Sequence, residues 1–334
     1  MAKTPDAKRR LAMFETMLLI RRFEEMNIRL YPQHSYMGQQ HLYIGHEATA
    51  AGISAAMKPG DFLFTTHRNH GYSLARGIDP KRALAEVLGR EGGTNRGRGG
   101  PWHIADKTKG LLQTSAMLGG GAGLGVGAGF ALQRQKKKGV SVVHMGDGTL
   151  PEGIVYESFN MAAVFKLPVL FVCENNFVPG GRGGKVSAKS WDAVPRALSV
   201  RCEPPVDGRD PDPVFALASK AIERIRKGGG PVFIQPDMAA WPGSHMSPPE
   251  FATGVTDLRQ AWGEVPIAGP HAAWIKKQDP VILYARKLVK SKRASPKDLL
   301  AIDGRVAKRL DEAKAYAEAS PFPKVETVLD NVFA

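Results

Sequence analysis

Hydrophobic and polar positions alternate along this chain with two different periods. Between residues 7 and 31, Leu11, Phe14, Met17, Leu18, Ile20, Phe23 and Met26 recur at helical spacing, and Tyr31-Pro32 closes the run. Residues 45–57 predict a second helix of small residues, which lets neighbouring backbones approach closely. Residues 62–66 read as a strand. Residues 142–145 form a short apolar run fit for a buried strand, and Gly146-Asp147-Gly148 breaks it with a tight bend. Residues 152–165 return to helical spacing, with Ile154, Phe159, Met161, Ala162 and Phe165 mostly on one face. Leu167-Pro168 ends that helix, and residues 169–173 form another apolar strand stopped by Glu174-Asn175-Asn176. Further helices are predicted over 82–88, 213–227, from 280 and within 295–319, with a strand at 231–235. Alternating strands and helices of this kind predict an α/β fold with a mostly parallel sheet.

In open parallel sheets, ligands sit at the carboxyl ends of the strands. Asp147 and Asn176 both fall at such ends, about thirty positions apart. A carboxylate, an amide oxygen and nearby backbone carbonyls are hard donors that suit Mg²⁺, which often completes its shell with phosphate and water. The pattern therefore predicts a magnesium ion holding a diphosphate. The segment His67-Arg68-Asn69-His70-Gly71 follows the strand at 62–66, and an arginine there can clamp phosphate. The glycine run at 118–129 loosely matches a dinucleotide fingerprint. The residues before it do not read as a strand, however, and no acid follows at the expected distance. It reads better as a helix entry packed tightly on a flat surface.

GDG followed by NN resembles the thiamine diphosphate signature. GDGTLPEG, continued by YESFNMAAVFKLPVLFVCENN, resembles the alpha subunit of the dehydrogenase component of 2-oxo acid dehydrogenase complexes of the pyruvate, branched-chain and acetoin types, over roughly residues 10–320. The resemblance implies a three-layer thiamine diphosphate-binding fold with helices on both faces of the sheet. It divides the chain into a helical segment (1–30), the cofactor domain (31–285) and a helical extension (286–334). It implies thiamine diphosphate and Mg²⁺ as cofactors. Asp147 and Asn176 would bind the metal through side chains and Val178 through its carbonyl, with Gly146 and Gly148 flanking the cofactor. Arg68 takes the diphosphate-binding place. His67 stands where relatives carry a tyrosine with the same contact, and His70 matches an active-site histidine. Relatives also carry a loop histidine near residue 244. Here Ser244 occupies that position and His245 follows it, so either His245 serves or the role is lost.

The same resemblance implies a beta subunit that contributes the glutamate needed beside the cofactor ring, hence an α2β2 heterotetramer. It also implies a small 2-oxo acid substrate and transfer of the acyl group to a lipoyl acyltransferase. A divergent, non-catalytic cofactor-binding assembly subunit is the alternative, motivated by His67, Gly119-Gly120, Gly123 and Ser244-His245.

Composition narrows the picture a little further. The 334 residues carry a formal charge of +14, yet the basic residues are dispersed without an aromatic-interleaved stripe, which argues against nucleic acid as partner. No apolar run is long enough for a membrane span. Cys173 and Cys202 are the only cysteines, too few for a disulfide framework, and a reducing cytoplasm is the expected home. The segment from Pro321 reads as a loosely attached end.

Overall fold

A computed structural model describes residues 4–33, 40–176, 192–239, 241–242 and 255–330. Its first half runs α1 (Ala7–Leu30), α2 (Glu47–Ala56), β1 (Phe62–Thr66), α3 (His70–Ala75), α4 (Pro80–Val87), β2 (Leu111–Ser115), α5 (Gly120–Arg134), β3 (Ser141–Gly146), α6 (Gly153–Val164) and β4 (Val169–Glu174). The second half contributes α7 (Ala193–Ala197), β5 (Arg201–Cys202), β6 (Val206–Asp207), α8 (Pro211–Arg226), β7 (Val232–Ile234), β8 (Pro236–Asp237), α9 (Ala272–Lys277), α10 (Pro280–Lys290) and α11 (Pro296–Ala319). The main sheet has the order β2-β1-β3-β4-β7-β5, and all its pairings are parallel.

Successive residues along a strand point to opposite faces, and here both faces are covered. Val142, Leu170, Val172, Val232 and Ile234 enter a core shared with α1, α2, α4, α8, α10 and α11. Val143, Met145, Val169, Phe171, Cys173 and Phe233 enter a second core against α5 and α6. This is the three-layer arrangement the resemblance implies. Helices α1 and α11 bury Phe14, Leu18, Val306 and Leu310 in the same core as the sheet residues. Local signals set the helix starts. Asp6, Asp79, Asp210 and Asp279 cap α1, α4, α8 and α10 through their side chains, and Ser295 forms a capping box with Asp298 at α11.

The glycine run does pack on a flat surface, as expected. Gly119 adopts φ +77° at the start of α5, and a Cβ on Gly125 would run into Val143 of β3. Three expectations change. Residues 111–115 do form a strand. It lies at the sheet edge, where Leu112, Gln113 and Ser115 are only half-buried, so the run lacks the apolar signature of an interior strand. On α6 the buried set is Val155, Ser158, Phe159 and Ala162, while Ile154, Met161 and Phe165 are exposed. Residues 322–330 are anchored. Arg98 donates to the Thr327 and Asp330 carbonyls, and the Arg90 guanidinium sits 3.8 Å over the Phe322 ring.

Candidate functional site

The sheet places its own crevice. From β1 the chain moves outward to β2, then crosses back so that β3 lies on the other side of β1. The strand order therefore reverses between β1 and β3, and at such a switch point the carboxyl ends of the strands open a cleft. The cleft is lined by Thr66, His67 and Arg68 after β1, by His144, Gly146, Gly148 and Thr149 along and after β3, and by Glu174 and Asn176 at the end of β4. His46, just before α2, and Leu118 complete it.

Asp147 and Asn176 converge here. Parallel pairing sets Met145 opposite Cys173 and Gly146 opposite Glu174, so the two strand ends arrive level. The Asp147 carboxylate is buried, which pushes its pKa up. The backbone N–H groups of Asp147, Gly148 and Asn176 and the nearby His46 pull it back. The neighbouring asparagine does different work. Asn175 Nδ2 donates to Asp237 Oδ1 at 2.8 Å, its N–H to the Pro236 carbonyl, and its carbonyl accepts from Met238, so Asn175 ties β4 to β8 and leaves Asn176 at the cleft. Gly146 and Gly148 border open space, where an added Cβ would meet no atom within 4 Å.

Arg68 is 8% exposed, donates to the Leu42 carbonyl, and has its pKa lowered by burial against the pull of Glu174 and Glu24. His67 is pushed down to about 3 by burial and by the neighbouring His41, Arg68 and His144, so it is a neutral imidazole at physiological pH.

His70 sits elsewhere. It starts α3, is 1% exposed and is not among the lining residues. Its Nδ1 lies 3.0 Å from Glu24 Oε1 and its Nε2 lies 3.1 Å from the Pro101 carbonyl. The ring thus joins α1 to the glycine-rich loop before β2. That loop has its own anchor in Glu86, 0% exposed, whose two oxygens accept the N–H groups of Asn95, Gly97, Gly99 and Gly100. Val178 and His245 lie outside the described residues.

Sequence reasoning passed over a buried polar cluster under the cleft. Glu174 Oε1 accepts from the Tyr43 hydroxyl at 2.5 Å, and Oε2 lies 2.8 Å from His46 Nδ1 and 3.1 Å from His144 Nε2. The His144 contact lacks hydrogen-bond alignment. His144 Nδ1 is 2.6 Å from Thr65 Oγ1. Burial pushes the Glu174 pKa up, but His144 and His46 outweigh it and hold the carboxyl below the usual carboxylate range. Tyr43 and His46 are 131 and 128 positions away in the chain, so no local pattern announces them. The sole local signal is the charged residue that ends an otherwise apolar strand.

The chain matches the family described as dehydrogenase E1 component over residues 15–326, nearly its whole length. It belongs to that family. It is 34% identical to the alpha subunit of acetoin:2,6-dichlorophenolindophenol oxidoreductase of Bacillus subtilis, over 97% of this chain and 93% of the relative. It is 33% identical to the alpha subunit of the pyruvate dehydrogenase E1 component of Rhizobium meliloti, over 96% and 89%. The testis-specific mitochondrial pyruvate dehydrogenase E1 alpha subunit of Homo sapiens is 32% identical over 97% and 80%. As a dehydrogenase E1 component, the chain is an oxidoreductase subunit that works with thiamine diphosphate. Among the described residues, no helix is long and apolar enough to cross a membrane.

The cleft suits that cofactor's diphosphate. Its lining offers a buried arginine, a neutral imidazole, an asparagine and open backbone at two glycines, and the Asp147 carboxylate lies between those glycines and accepts the Asn176 backbone N–H, which together are the donor chemistry of a magnesium–phosphate site.

Proposed function

We propose that this chain is the alpha subunit of a thiamine diphosphate-dependent 2-oxo acid or acetoin dehydrogenase, carrying the magnesium and diphosphate half of the site. The convergence of Asp147 and Asn176 at the β1/β3 switch point, beside Arg68, carries this reading. In it, Asp147 and Asn176 hold Mg²⁺ through side-chain oxygens and Val178 supplies a carbonyl. Arg68 binds the diphosphate as a fixed cation, and His67 contributes a neutral ring nitrogen in the place of a tyrosine hydroxyl. When bound, the cofactor supplies the electron sink for cleavage beside a ketone carbon. The chain's own work is to grip, orient and shield it. His70 acts by positioning: it braces α1 against the Pro101 carbonyl, and its contacts leave neither nitrogen facing the cleft. His245 is the residue of this sequence proposed to reach the substrate.

Two observations support a partner chain. The cleft encloses about 140 Å³, well under the roughly 300–1,000 Å³ of complete ligand pockets, which suits one half of a shared site. Beside it, α5 and α6 present Leu124, Phe130, Ile154, Met161, Val164 and Phe165 to solvent, with Val164 65% exposed. Exposed apolar side chains grouped on two helices that pack together mark an interaction surface. A beta subunit covering it, in an α2β2 assembly that delivers an acyl group to a lipoyl acyltransferase in the cytoplasm, completes the reading.

The test is reconstitution. The purified chain, the beta chain and their mixture are assayed with pyruvate, branched-chain 2-oxo acids and acetoin, using an artificial electron acceptor. Turnover by the mixture and none by the chain alone is expected. Full turnover by the chain alone, or none by the mixture with any of these substrates, refutes the reading.

A further inference from the structure

We propose that His46 is a further ligand of the cofactor's diphosphate, with its Nε2–H donating into the cleft while Glu174 holds its Nδ1 from behind. This rests on the reading that the cleft takes a diphosphate. His46 is 1% exposed and lines the cleft, and among the described residues its Nε2 has no hydrogen-bond partner. A buried ring nitrogen without a partner is unfavourable, and the arrangement is explained if a ligand supplies that partner.

The ring is not free to turn away. Nδ1 lies 2.8 Å from Glu174 Oε2. Glu174 is fixed in turn by the Tyr43 hydroxyl, with His144 and Thr65 behind it. The Tyr43 backbone N–H is anchored to Glu24 Oε1 at 2.9 Å. Without a ligand, burial holds the His46 pKa below its ordinary value against the pull of Glu174; an anion on the other side of the ring adds a second favourable contact and so favours the doubly donating cation on binding. The groups that share the cleft select an anion: Arg68 is cationic and His67 neutral, and the backbone at Gly146 and Gly148 is open to close approach. Among the described lining residues Glu174 is the one acid, and His46 stands against it; Asp147, between the lining Gly146 and Gly148, is the acid this reading gives to the metal. Charges then alternate from Glu174 through His46 to the phosphate. The motif that marks Asp147 and Asn176 does not include this residue.

The experiment separates the two nitrogens. Thiamine diphosphate is titrated calorimetrically, at saturating Mg²⁺, into the complex of this chain with its beta subunit, for the wild type, His46→Asn and His46→Gln. Asparagine places its amide near Nδ1, keeping the Glu174 contact and removing Nε2. Glutamine reaches toward Nε2 and gives up Glu174. We expect His46→Asn to weaken binding about ten- to a hundredfold, the loss of a hydrogen bond to a charged group. His46→Gln should stay within about threefold of wild type. Inorganic diphosphate with Mg²⁺ should show the same order.

A purely structural role through Glu174 predicts the reverse order, and that result overturns the inference. Equal affinity of all three proteins also overturns it while leaving the functional reading intact. Absence of wild-type binding overturns both. If His46→Asn does not fold, His46→Ala with added imidazole replaces it: recovery of affinity supports the inference, and no recovery beside a folded protein overturns it.

Discussion

Glu86 offers the sharpest prediction about how the fold serves the site. Its carboxylate is completely buried on α4. Oε2 accepts the N–H of Asn95 at 2.6 Å and of Gly97 at 3.0 Å, and Oε1 accepts Gly99 at 2.7 Å and Gly100 at 3.3 Å. One side chain thus satisfies four backbone donors of a loop rich in glycine, which has little conformational preference of its own. The loop delivers the Pro101 carbonyl, which accepts from Asn69 Nδ2 at 2.9 Å and faces His70 Nε2. Glu86→Gln changes almost no volume but turns one oxygen into a donor. Whichever way the amide settles, two backbone N–H groups face an N–H. Hydrogen bonds to a charged acceptor contribute about 1.5–3 kcal/mol each, so two lost bonds amount to about 3–6 kcal/mol. In either orientation one freed donor is half-buried, on Asn95 or Gly99, and can reach water, while the other, on Gly97 or Gly100, is buried, which sets the loss at about 3 kcal/mol or somewhat more. Urea denaturation of the wild type and Glu86→Gln measures the difference. Amide exchange at Gly97, Gly99 and Gly100 localises it, with protection there lost first. A change below about 1 kcal/mol, or unchanged protection of those amides, would refute the claim that this carboxylate builds the loop.

Other outcomes follow from the same geometry. Gly125→Ala drives a Cβ into Val143, and overpacking costs of about 1–3 kcal/mol outweigh the ~1 kcal/mol gain in helix propensity. Gly127→Ala on the same helix meets no atom within 4 Å and should stabilise the isolated chain in thermal melts. His67, held down at about 3 when folded and near 6.5 when unfolded, has no effect on stability above pH 6.5. Below it, only the unfolded chain takes the proton, so stability falls by at most about 1.4 kcal/mol per pH unit, less whatever solvent screens at the cleft. Denaturant midpoints of cofactor-free His67→Gln should therefore decline less steeply than wild type between pH 6.5 and 4.5. Replacing Met161 and Val164 by glutamate on the exposed α6 face should leave the melting temperature of the lone chain within a few degrees but abolish co-elution with the beta subunit in size-exclusion chromatography.

Much of this architecture can be read from local pattern. β3, α6 and β4 are bounded by glycine, proline and polar stops, and their apolar runs mark strands buried on both faces. Local pattern fails where a residue's neighbours are remote. Ile154, Met161 and Phe165 have the spacing of a core face, but apolar periodicity cannot distinguish a face buried within the chain from one left for a partner. β2 is an edge strand with polar, half-buried positions and leaves no strong signal. At the site, Asp147, Asn176 and Arg68 are legible because short motifs place them at strand ends. His70 shares Arg68's motif, yet by starting α3 it turns away into the space between Glu24 and Pro101. The Glu174 cluster joins a strand end to Tyr43 and His46, more than a hundred positions earlier, and only the folded chain brings them together.

In the proposed function Asp147 and Asn176 share one magnesium ion that grips a diphosphate. Calorimetric titration of thiamine diphosphate into the complex with the beta subunit, with Mg²⁺ or with EDTA, tests it directly when repeated on Asp147→Ala and Asn176→Ala. Even outer-shell residues of metal sites commonly cost about 10–100-fold in affinity. Direct ligands should cost at least that, with wild-type binding lost in EDTA. Wild-type affinity in either variant, or binding indifferent to magnesium, would contradict the account.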